Sequence, residues 1–555
     1  MAIPTGEKEV RTAIEAISRA GGSAFKPVSQ PAYFFPQRSI QNPLHKQVHV
    51  SVGSEPNDNG DKLGAHEVPV VIHVLHEGVD PPQSLPDHPK PERRWNFFVV
   101  GLCWAFILGL SCLIAVSVFL GDRADQEDGK QHLIQANSSA KVAVGMRELL
   151  SMTSVAEPPP GLVSSRTLEQ RLCETIVIYE LQGAKQALSA LDRIDQLIER
   201  LQFESSKTQR SILRSLRDLM HDYEDEIWEG LSLTDREKKE LVSELGWCGR
   251  LVLQPAGARD TKERDKLLRE AKQAAMLQLG FLTISVCVVL LGIPAFVVFV
   301  VLCFSQRLRF EFDGQRRNGD IYLETFALWF LAFLAISLLL ALLRDALPTG
   351  LASLGVLLTL GVLIWPILRG VRLPTMLHEL GLAIKNPFKE VVCGLLSYLV
   401  AAPFIAAALV VVLILTALAN QFENVDELTP AKSPSHPILQ EVADSDSWLT
   451  LFGIFLTAVV IAPILEEIVF RGLLYRHLRE LSHFWGRWIS VLFAAAANAI
   501  VFAMIHPQGI LAIPVLGMLA ISFSLAREWR GSLIAPMTMH ALNNGAITFL
   551  LIFTL

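Results

Sequence analysis

Strong charge imbalance and closely spaced cysteines are both missing from this chain. Its 555 residues carry a formal net charge of only −6, which gives no reason to expect a nucleic-acid partner. The seven cysteines include no CxxC or other spacing typical of a metal site, and five of them lie in apolar runs. Only Cys173 and Cys248 lie in a polar region, where they are a candidate disulfide if that region faces an oxidising compartment.

Three recognisable signals are also absent. No long apolar run precedes Phe97, which argues against an N-terminal signal peptide. The pair His378-Glu379 lacks the second histidine of the HExxH motif of zinc proteases, because Leu382 stands in its place. No internal repeat of the kind common in transporters is visible.

Apolar sequence is abundant instead. Hydrophobic residues make up 51% of the chain, which at this length is typical of a polytopic membrane protein. We predict an all-α fold with about nine transmembrane helices and an extramembrane helical segment between helices 1 and 2. The predicted spans are 97–120, 276–304, 321–343, 350–368, 391–418, 449–475, 489–505, 510–526 and 532–555.

The alternation of polar and apolar stretches divides the chain into six regions. They are a disordered tail (1–95), a first transmembrane helix (96–121), an extramembrane helical segment (122–274), four transmembrane helices (275–420), an acidic loop (421–448) and a C-terminal membrane core (449–555). Apolar residues at every third or fourth position indicate helices in the extramembrane segment, and Thr234 with Glu237 forms a capping-box sequence. For this segment we favour a spacer packed on the membrane part over a sensor or partner-docking domain.

Charges on either side of the first membrane helix indicate its orientation. Lys90, Arg93 and Arg94 precede the helix, whereas acidic residues follow it from Asp122 onward. The positive-inside rule therefore predicts a cytoplasmic N-terminus. We expect an integral protein of the plasma (inner) membrane, with the segment 122–274 outside.

The stretch 449–475 holds three charged residues well inside an apolar run: Glu466, Glu467 and Arg471. A charge at the centre of a membrane helix costs about 2.5–3.5 kcal/mol even on the mildest scale. Glu467 and Arg471 are four residues apart, so they can neutralise one another on one helix face as a structural support. Glu466 points about 100° away around the helix. It is therefore either part of a structural network or transport path, or a catalytic carboxylate facing a wet cavity.

Two later membrane helices contain further polar residues. His506 ends an apolar run, and His540 lies four residues before Asn544, so these last two share a helix face. Residue counts from the intervening turns place Glu466, His506 and His540 at similar depth, on the cytoplasmic side of the midplane. A carboxylate and an imidazole can deprotonate one water, directly or through a metal. A second histidine and an amide can donate to the oxyanion that forms when water attacks a peptide bond.

Three motifs thus follow one another on consecutive membrane helices. They are EExxxR (Glu466, Glu467, Arg471), FxxxH (Phe502, His506) and HxxxN (His540, Asn544). In this order they resemble the CPBP family of intramembrane proteases, which includes the CAAX prenyl endopeptidases and bacterial relatives linked to bacteriocin processing or immunity. The resemblance covers the C-terminal membrane core and does not reach the tail or the extramembrane segment.

The resemblance implies an all-helical membrane fold with a catalytic cavity inside the bilayer. It implies that Glu466 and His506 activate the water, while His540 and Asn544 stabilise the oxyanion. A divalent metal such as zinc, held by Glu466, His506 and His540, and a water activated by the glutamate alone are both compatible with the family. The expected function is that of an intramembrane endopeptidase. Its substrate would be a membrane-associated protein or peptide, with the lipid bilayer as its other partner.

Two other functions fit the same residues. The first is a transporter or channel in which Glu466, His506 and His540 line a path for ions or protons. The second is a catalytically silent membrane scaffold that has kept the site. The absence of a visible internal repeat argues against the transporter, and the intact set of four polar side chains argues against the scaffold, so we favour the endopeptidase.

Overall fold

The computed structural model describes residues 93–121, 127–150, 167–257, 262–312, 314, 317–343, 355–422, 438–443, 445 and 447–554. Within these ranges every regular element is a helix and there is no strand, which confirms the predicted all-α class. The predicted disordered tail (1–95) and acidic loop (421–448) lie mostly outside the described residues.

Seventeen helices make up the described part of the chain. In chain order they are α1 (Arg93–Gly121), α2 (Glu127–Leu150), α3 (Leu168–Gln182), α4 (Ala184–Leu201), α5 (Lys207–Glu224), α6 (Asp235–Leu245), α7 (Trp247–Val252), α8 (Lys262–Phe304), α9 (Gly319–Leu342), α10 (Val356–Leu368), α11 (Leu373–Leu380), α12 (Pro387–Phe422), α13 (Ile438–Ala443), α14 (Trp448–Leu481), α15 (Arg487–Met504), α16 (Ile513–Arg530) and α17 (Ile534–Thr554). Within the described ranges, seven helices are long and apolar enough to cross a membrane, namely α1, α8, α9, α12, α14, α15 and α16.

The predicted count of nine membrane helices is therefore not confirmed. One of the two remaining predicted spans corresponds to α10, which is shorter than the ~20 residues that a transmembrane helix needs. The other corresponds to α17, which has 21 residues but carries His540, Asn543 and Asn544 in its middle. These three polar side chains lower the hydropathy of α17. Two of them, His540 and Asn544, are also candidate site residues.

The segment between α1 and α8 folds as a helical bundle. Helices α2 to α7 and the first turns of α8 surround one hydrophobic core. Buried leucines from successive helices include Leu172, Leu191, Leu216, Leu241 and Leu267. Capping boxes begin α3, α5 and α6, and the box at Thr234 is the one that the sequence predicts. The predicted helical segment between the first two membrane helices is thus confirmed.

Helix α8 belongs to both the bundle and the membrane part. Its 43 residues make it about 65 Å long, roughly twice the hydrocarbon thickness of a bilayer. Near its start, Leu267 and Ala271 are buried in the bundle core. Further along, Gly292 approaches α12 so closely that an added Cβ would lie 2.7 Å from Pro403 Cδ. Helix α8 is therefore long enough to place the bundle and its own far end on opposite sides of a membrane.

The far end of α8 leads to a side of the membrane part that is rich in arginine. The backbone N–H groups of Glu311 and Phe312 donate to the carbonyl oxygens of Trp529 and Glu528. Around this contact, buried arginines of α14 and α16 pair with buried glutamates. The pairs are Arg476–Glu480, Arg479–Glu528 and Arg530–Glu390, with N···O distances of 2.9, 2.9 and 2.6 Å. This arginine-rich side, defined by Arg476, Arg479, Arg527 and Arg530, ties together the ends of α12, α14 and α16.

Glu379, which follows His378 without completing a zinc-protease motif, belongs to the same side. Its carboxylate accepts hydrogen bonds from Asn318 Nδ2 at 2.9 Å and from the Tyr322 hydroxyl. Its backbone carbonyl accepts a hydrogen bond from Arg527 Nη2 at 2.9 Å. Glu379 therefore links α9, α11 and α16, and its role in the fold is structural.

Helix α17 is held against the rest of the membrane part along its length. The backbone N–H of Leu533, just before its first turn, donates to the Gly381 carbonyl at 3.0 Å. At Gly394 of α12 the two helices touch so closely that an added Cβ would lie 2.7 Å from Thr538 Cβ. The same helix also packs on α14 and α16. These contacts leave His540 facing α14.

Candidate active site

The helix that carries Glu466 is not an ideal α-helix. Within α14, the segments Thr457–Ile461 and Glu467–Leu474 are π-helical, and Glu466 lies at the end of the short α-helical turn between them. In a π-helix each N–H bonds the carbonyl five residues earlier, and such segments occur frequently at functional sites. The widened turns change the directions in which Glu466 and Glu467 point.

Proline provides a local reason for the first π-segment. The N–H of Ala462 donates to the Thr457 carbonyl, five residues earlier. The next donor in this series would be Pro463, which has no N–H. The Ala458 carbonyl is therefore left without its π-type partner, and Asn544 Nδ2 of α17 donates to it at 3.1 Å. Asn544 thus joins α17 to α14 beside the candidate site.

Glu467 and Arg471 form an ion pair that is fully buried. Arg471 Nη1 lies 3.0 Å from Glu467 Oε1, and Nη2 donates to the Ala520 carbonyl at 3.2 Å. The guanidinium also lies over the rings of Phe502 and Phe523, with its Cζ 4.7 and 5.1 Å from their centroids. Such cation–π contacts stabilise a charge that water cannot reach. The pair therefore links α14 to α15 and α16.

Glu467 has a second partner that the sequence does not indicate. His540 Nδ1 lies 2.9 Å from Glu467 Oε1, and the imidazole stacks on Phe523 with ring centroids 5.0 Å apart. Because an ionised carboxylate only accepts hydrogen bonds, this contact places the proton of a neutral His540 on Nδ1. Glu467 therefore determines both the orientation and the tautomer of His540.

Glu466 faces the other nitrogen of His540 and also faces His506. Glu466 Oε2 lies 3.7 Å from His540 Nε2 and 3.7 Å from His506 Nε2. This oxygen is buried and makes no hydrogen bond with any described residue. His506 Nδ1 bonds the Phe502 carbonyl, one turn earlier on α15. The structure thus brings together three of the residues that the sequence singles out, from α14, from the turn that follows α15 and from α17.

The hydrogen bonds of His506 and His540 determine which of their ring nitrogens face Glu466 as acceptors. A carbonyl oxygen can only accept, so His506, like His540, carries its proton on Nδ1 when neutral. Both Nε2 atoms then present lone pairs toward Glu466 Oε2, which is also an acceptor when ionised. Three acceptors facing one another require a shared proton, a water or a cation between them. The arrangement is therefore suited to holding and deprotonating a water molecule.

The same donor types suit a divalent metal. Two imidazoles whose Nδ1 atoms are held by a carbonyl and a carboxylate, together with one carboxylate, are typical zinc ligands with their supporting hydrogen bonds. Among the residues that the structure describes, however, no group of three or more His, Cys, Asp or Glu side chains meets the geometry of a metal site. The metal therefore stays a prediction.

Asn544 lies one turn beyond His540 on α17, and part of its amide is already hydrogen-bonded. One of its amide N–H groups donates to the Ala458 carbonyl, and its Oδ1 accepts from Asn543 Nδ2 at 3.4 Å. Asn543 in turn accepts from the Tyr398 hydroxyl at 3.5 Å. One N–H of Asn544 remains for another acceptor, so its role as an oxyanion donor stays a prediction.

Sequence reasoning missed two features of the site. Phe523, which stacks on His540 and lies beneath Arg471, belongs to a run of α16 that carries no motif. The contact between Glu467 and His540 depends on the π-helical geometry of α14. Pro463 was the available signal, since a proline inside a helix disturbs the regular backbone hydrogen bonds.

The comparisons with known proteins concern this same part of the chain. Residues 448–546, which include all three motifs, match the family model described as type II CAAX prenyl endopeptidase Rce1-like. The membrane-embedded CAAX protease MroQ of Staphylococcus aureus (strain USA300) is 33% identical over 96 residues. That match covers 17% of this chain and 37% of the relative, so the chain spans little more than a third of the relative's length. No solved structure matches the chain significantly. In agreement with the CPBP resemblance of its motifs, the segment 448–546 is thus similar to the Rce1-like CAAX prenyl endopeptidases.

Proposed function

We propose that the C-terminal membrane core is an intramembrane endopeptidase. It would hydrolyse a peptide bond of a membrane-associated protein or peptide, with or without a lipid chain. The observation that supports this most is the convergence of Glu466 Oε2 with the Nε2 atoms of His506 and His540, each 3.7 Å away, among otherwise apolar helices. A purely structural glutamate would pair with a cation or a donor, as Glu467 does with Arg471.

In this proposal Glu466 and His506 activate the water. The water lies between Glu466 Oε2 and the lone pair of His506 Nε2, and it gives up its proton as it attacks the substrate carbonyl. The Phe502 carbonyl keeps the His506 proton on Nδ1, so that Nε2 is free to accept. The proton is then available for the leaving amine.

His540 and Asn544 would act on the oxyanion. Once protonated, His540 can donate from Nε2 while Glu467 stabilises its positive charge at Nδ1. Asn544 has one amide N–H that the Ala458 carbonyl does not use. When a divalent metal such as zinc is bound, Glu466, His506 and His540 would hold it, and the ion would make a bound water more acidic.

The proposed orientation follows from the distribution of arginine. Trp104 of α1 donates from Nε1 to His477 Nε2 at 3.3 Å, which places the first half of α1 near the arginine-rich side. By the positive-inside rule that side and the N-terminus face the cytoplasm, and the bundle lies outside a plasma (inner) membrane. Impermeant-maleimide labelling tests this in intact cells. A cysteine at the exposed Ser189 should react at once, and one at the exposed Ser305 only after permeabilisation.

The test of the activity compares new protein termini in membranes of matched strains. The strains express the wild type, Glu466→Gln, His506→Ala, or the control Glu324→Gln at equal levels. Glu324 is a suitable control because it is a buried membrane-helix glutamate bonded to Trp365 and Arg369 and outside the site. Termini present with the wild type and the control, but absent with both site variants, would establish proteolysis and identify the substrate.

The other two functions give different results in the same strains. A scaffold would keep its cellular effect in Glu466→Gln and show no terminus that depends on the site. A transporter would show a proton or ion flux in proteoliposomes that disappears with Glu466→Gln, again without new termini. Either result would remove the endopeptidase proposal.

A further inference from the structure

Two cysteines of the bundle are buried in the same hydrophobic core. Cys173 is in the second turn of α3, and Cys248 is in the first turn of α7. Both are completely buried, and both belong to the one hydrophobic core that α2 to α8 share. Both are free thiols in the structure, and the helices that carry them, α3 and α7, pack directly on each other.

The backbone around Cys248 is held firmly in this position. Asn137 Oδ1 of α2 accepts a hydrogen bond from the Cys248 N–H at 2.9 Å. Its neighbour Gly249 sits so close to α6 that an added Cβ would lie 2.8 Å from the Leu241 carbonyl carbon. Free cysteines are often buried as small hydrophobes, but two that share one core on helices packed against each other are candidates for a disulfide.

The side of the membrane decides whether such a pair is oxidised. The bundle lies at the opposite end of α8 from the arginine-rich side, and arginine-rich loops face the cytoplasm. The bundle would then fold in the oxidising compartment, where disulfides form and persist. None of this depends on the chemistry of Glu466, so the inference is independent of the proposed protease activity.

We propose that Cys173 and Cys248 form a disulfide that closes the bundle. The bond would be made during folding by thiol–disulfide exchange with the disulfide of an oxidising protein of the outer compartment. Two thiols lose two protons and two electrons, one S–S bond forms, and the oxidant's disulfide is reduced to two thiols. The product joins α3 to α7 and encloses a loop of about 75 residues, which restricts the unfolded chain strongly.

The timing of this step follows from the environment of the thiols. The hydrogen bond with Cys248 and complete burial together raise the pKa of the Cys173 thiol well above its ordinary value. The thiolate is the reactive form in exchange, so the pair is inert once the core has closed. Oxidation therefore has to precede the packing of α7 on α3.

Mass spectrometry of the full-length protein tests the bond directly. Protein prepared from membranes without reductant is denatured, alkylated with iodoacetamide and digested before and after reduction. The expected result is one cross-linked peptide containing Cys173 and Cys248, with the exposed Cys112 and Cys287 alkylated in both samples. Alkylation of Cys173 and Cys248 without prior reduction would overturn the proposal.

A second measurement guards against a bond formed by chance during preparation. Wild-type protein from cells grown with a reductant, so that the bond cannot form during folding, should melt at a lower temperature than protein from cells grown without it. The Cys173→Ala/Cys248→Ala variant should melt at the same temperature in both preparations. A Cys112→Ala/Cys287→Ala control should respond as the wild type does. If the wild type melts at the same temperature in both preparations, the bridge does not stabilise the bundle and the proposal fails.

Discussion

His540 Nδ1 lies 2.9 Å from Glu467 Oε1, inside the membrane part of the protein. The two adjacent glutamates of α14 therefore contact opposite nitrogens of the same imidazole, since Glu466 Oε2 faces Nε2 at 3.7 Å. This division assigns Glu467 to orientation and leaves Glu466 available for the water. It also makes Glu467 the residue on which the tautomer of His540 depends.

We predict that Glu467→Gln lowers the cleavage rate per folded molecule by about 10–100-fold, and that it also lowers stability because Arg471 stays charged and buried without its anion. The glutamine amide can donate to Nδ1, which would move the imidazole proton to Nε2 and remove the lone pair that faces Glu466. The rate at which a wild-type-dependent terminus appears measures this effect. Glu390→Gln, which alters a buried ion pair with Arg530 away from the site, should retain activity. A Glu467→Gln enzyme with wild-type rates would contradict the assignment.

Arg471→Ala should destabilise the protein by about 3–5 kcal/mol, because it leaves Glu467 charged and buried without its cation. The double variant Glu467→Gln/Arg471→Met removes both charges and should recover much of that stability without recovering activity. Thermal unfolding in one detergent, followed for all variants, checks the prediction. Equal melting temperatures for the single and double variants would show that the buried charge is not the cause.

Asn544 has two separable contributions. We predict that Asn544→Ala lowers kcat by about 10²–10³-fold through loss of an oxyanion donor, and also lowers stability because the Ala458 carbonyl loses its partner. Adding Pro463→Ala supplies a backbone N–H near that carbonyl, so the double variant should regain stability but not activity. Asn543→Ala is the neighbouring control and should change the rate little. If activity returns together with stability, Asn544 is only a structural residue.

The stabilisation of the α6 start by its capping box should depend on pH, whereas that of the α3 and α5 starts should not. Hydrogen bonds from the side chain and backbone of Thr234 hold the pKa of Glu237 below its ordinary value. Its stabilising effect is therefore present above the unfolded-state pKa and is lost as pH falls through the lower folded-state pKa. The corresponding residues of the other two boxes are Gln170 and Gln209, which do not titrate in this range.

Hydrogen exchange of the first turn of each helix measures this response. Exchange at the start of α6 should accelerate in acid relative to α3 and α5, after correction for the intrinsic pH dependence. The variant Glu237→Gln should remove the difference. Uniform behaviour of all three helix starts in the unmodified protein would contradict the prediction.

Much of the fold could be predicted because apolar length and charge spacing report directly on membrane crossing and helix formation. The all-α class, the helical segment after α1 and the cap at Thr234 all follow from such local patterns. The number of crossings does not, since α17 combines 21 residues of helix with His540 and two asparagines. A helix that must place polar groups in a site loses the apolarity by which a span is recognised.

The candidate site was predictable in its members but not in all of its contacts. Helix periodicity could bring Glu466, His506 and His540 to one level because it depends on residue counts between turns. It could not show that Glu467 holds His540, since that depends on π-helical turns in α14 and on a partner from another helix. The contacts of Phe523 with His540 and Arg471 could not be predicted either, because no motif distinguishes this aromatic residue from others in membrane helices.

Helix α8 runs without interruption from the bundle core, at Leu267, to the loop beside the arginine-rich side. On the way it packs on α12 at Gly292 and also contacts α17, the helix of His540. Because α8 is one continuous helix packed at both ends, a tilt of the bundle would displace the helices that pack on α8 unless α8 itself bends. Pro294 is the residue of α8 that lacks a backbone N–H, and it lies two residues beyond Gly292, where α8 contacts α12. A displacement of the bundle would therefore be transmitted through α8 to both α12 and α17.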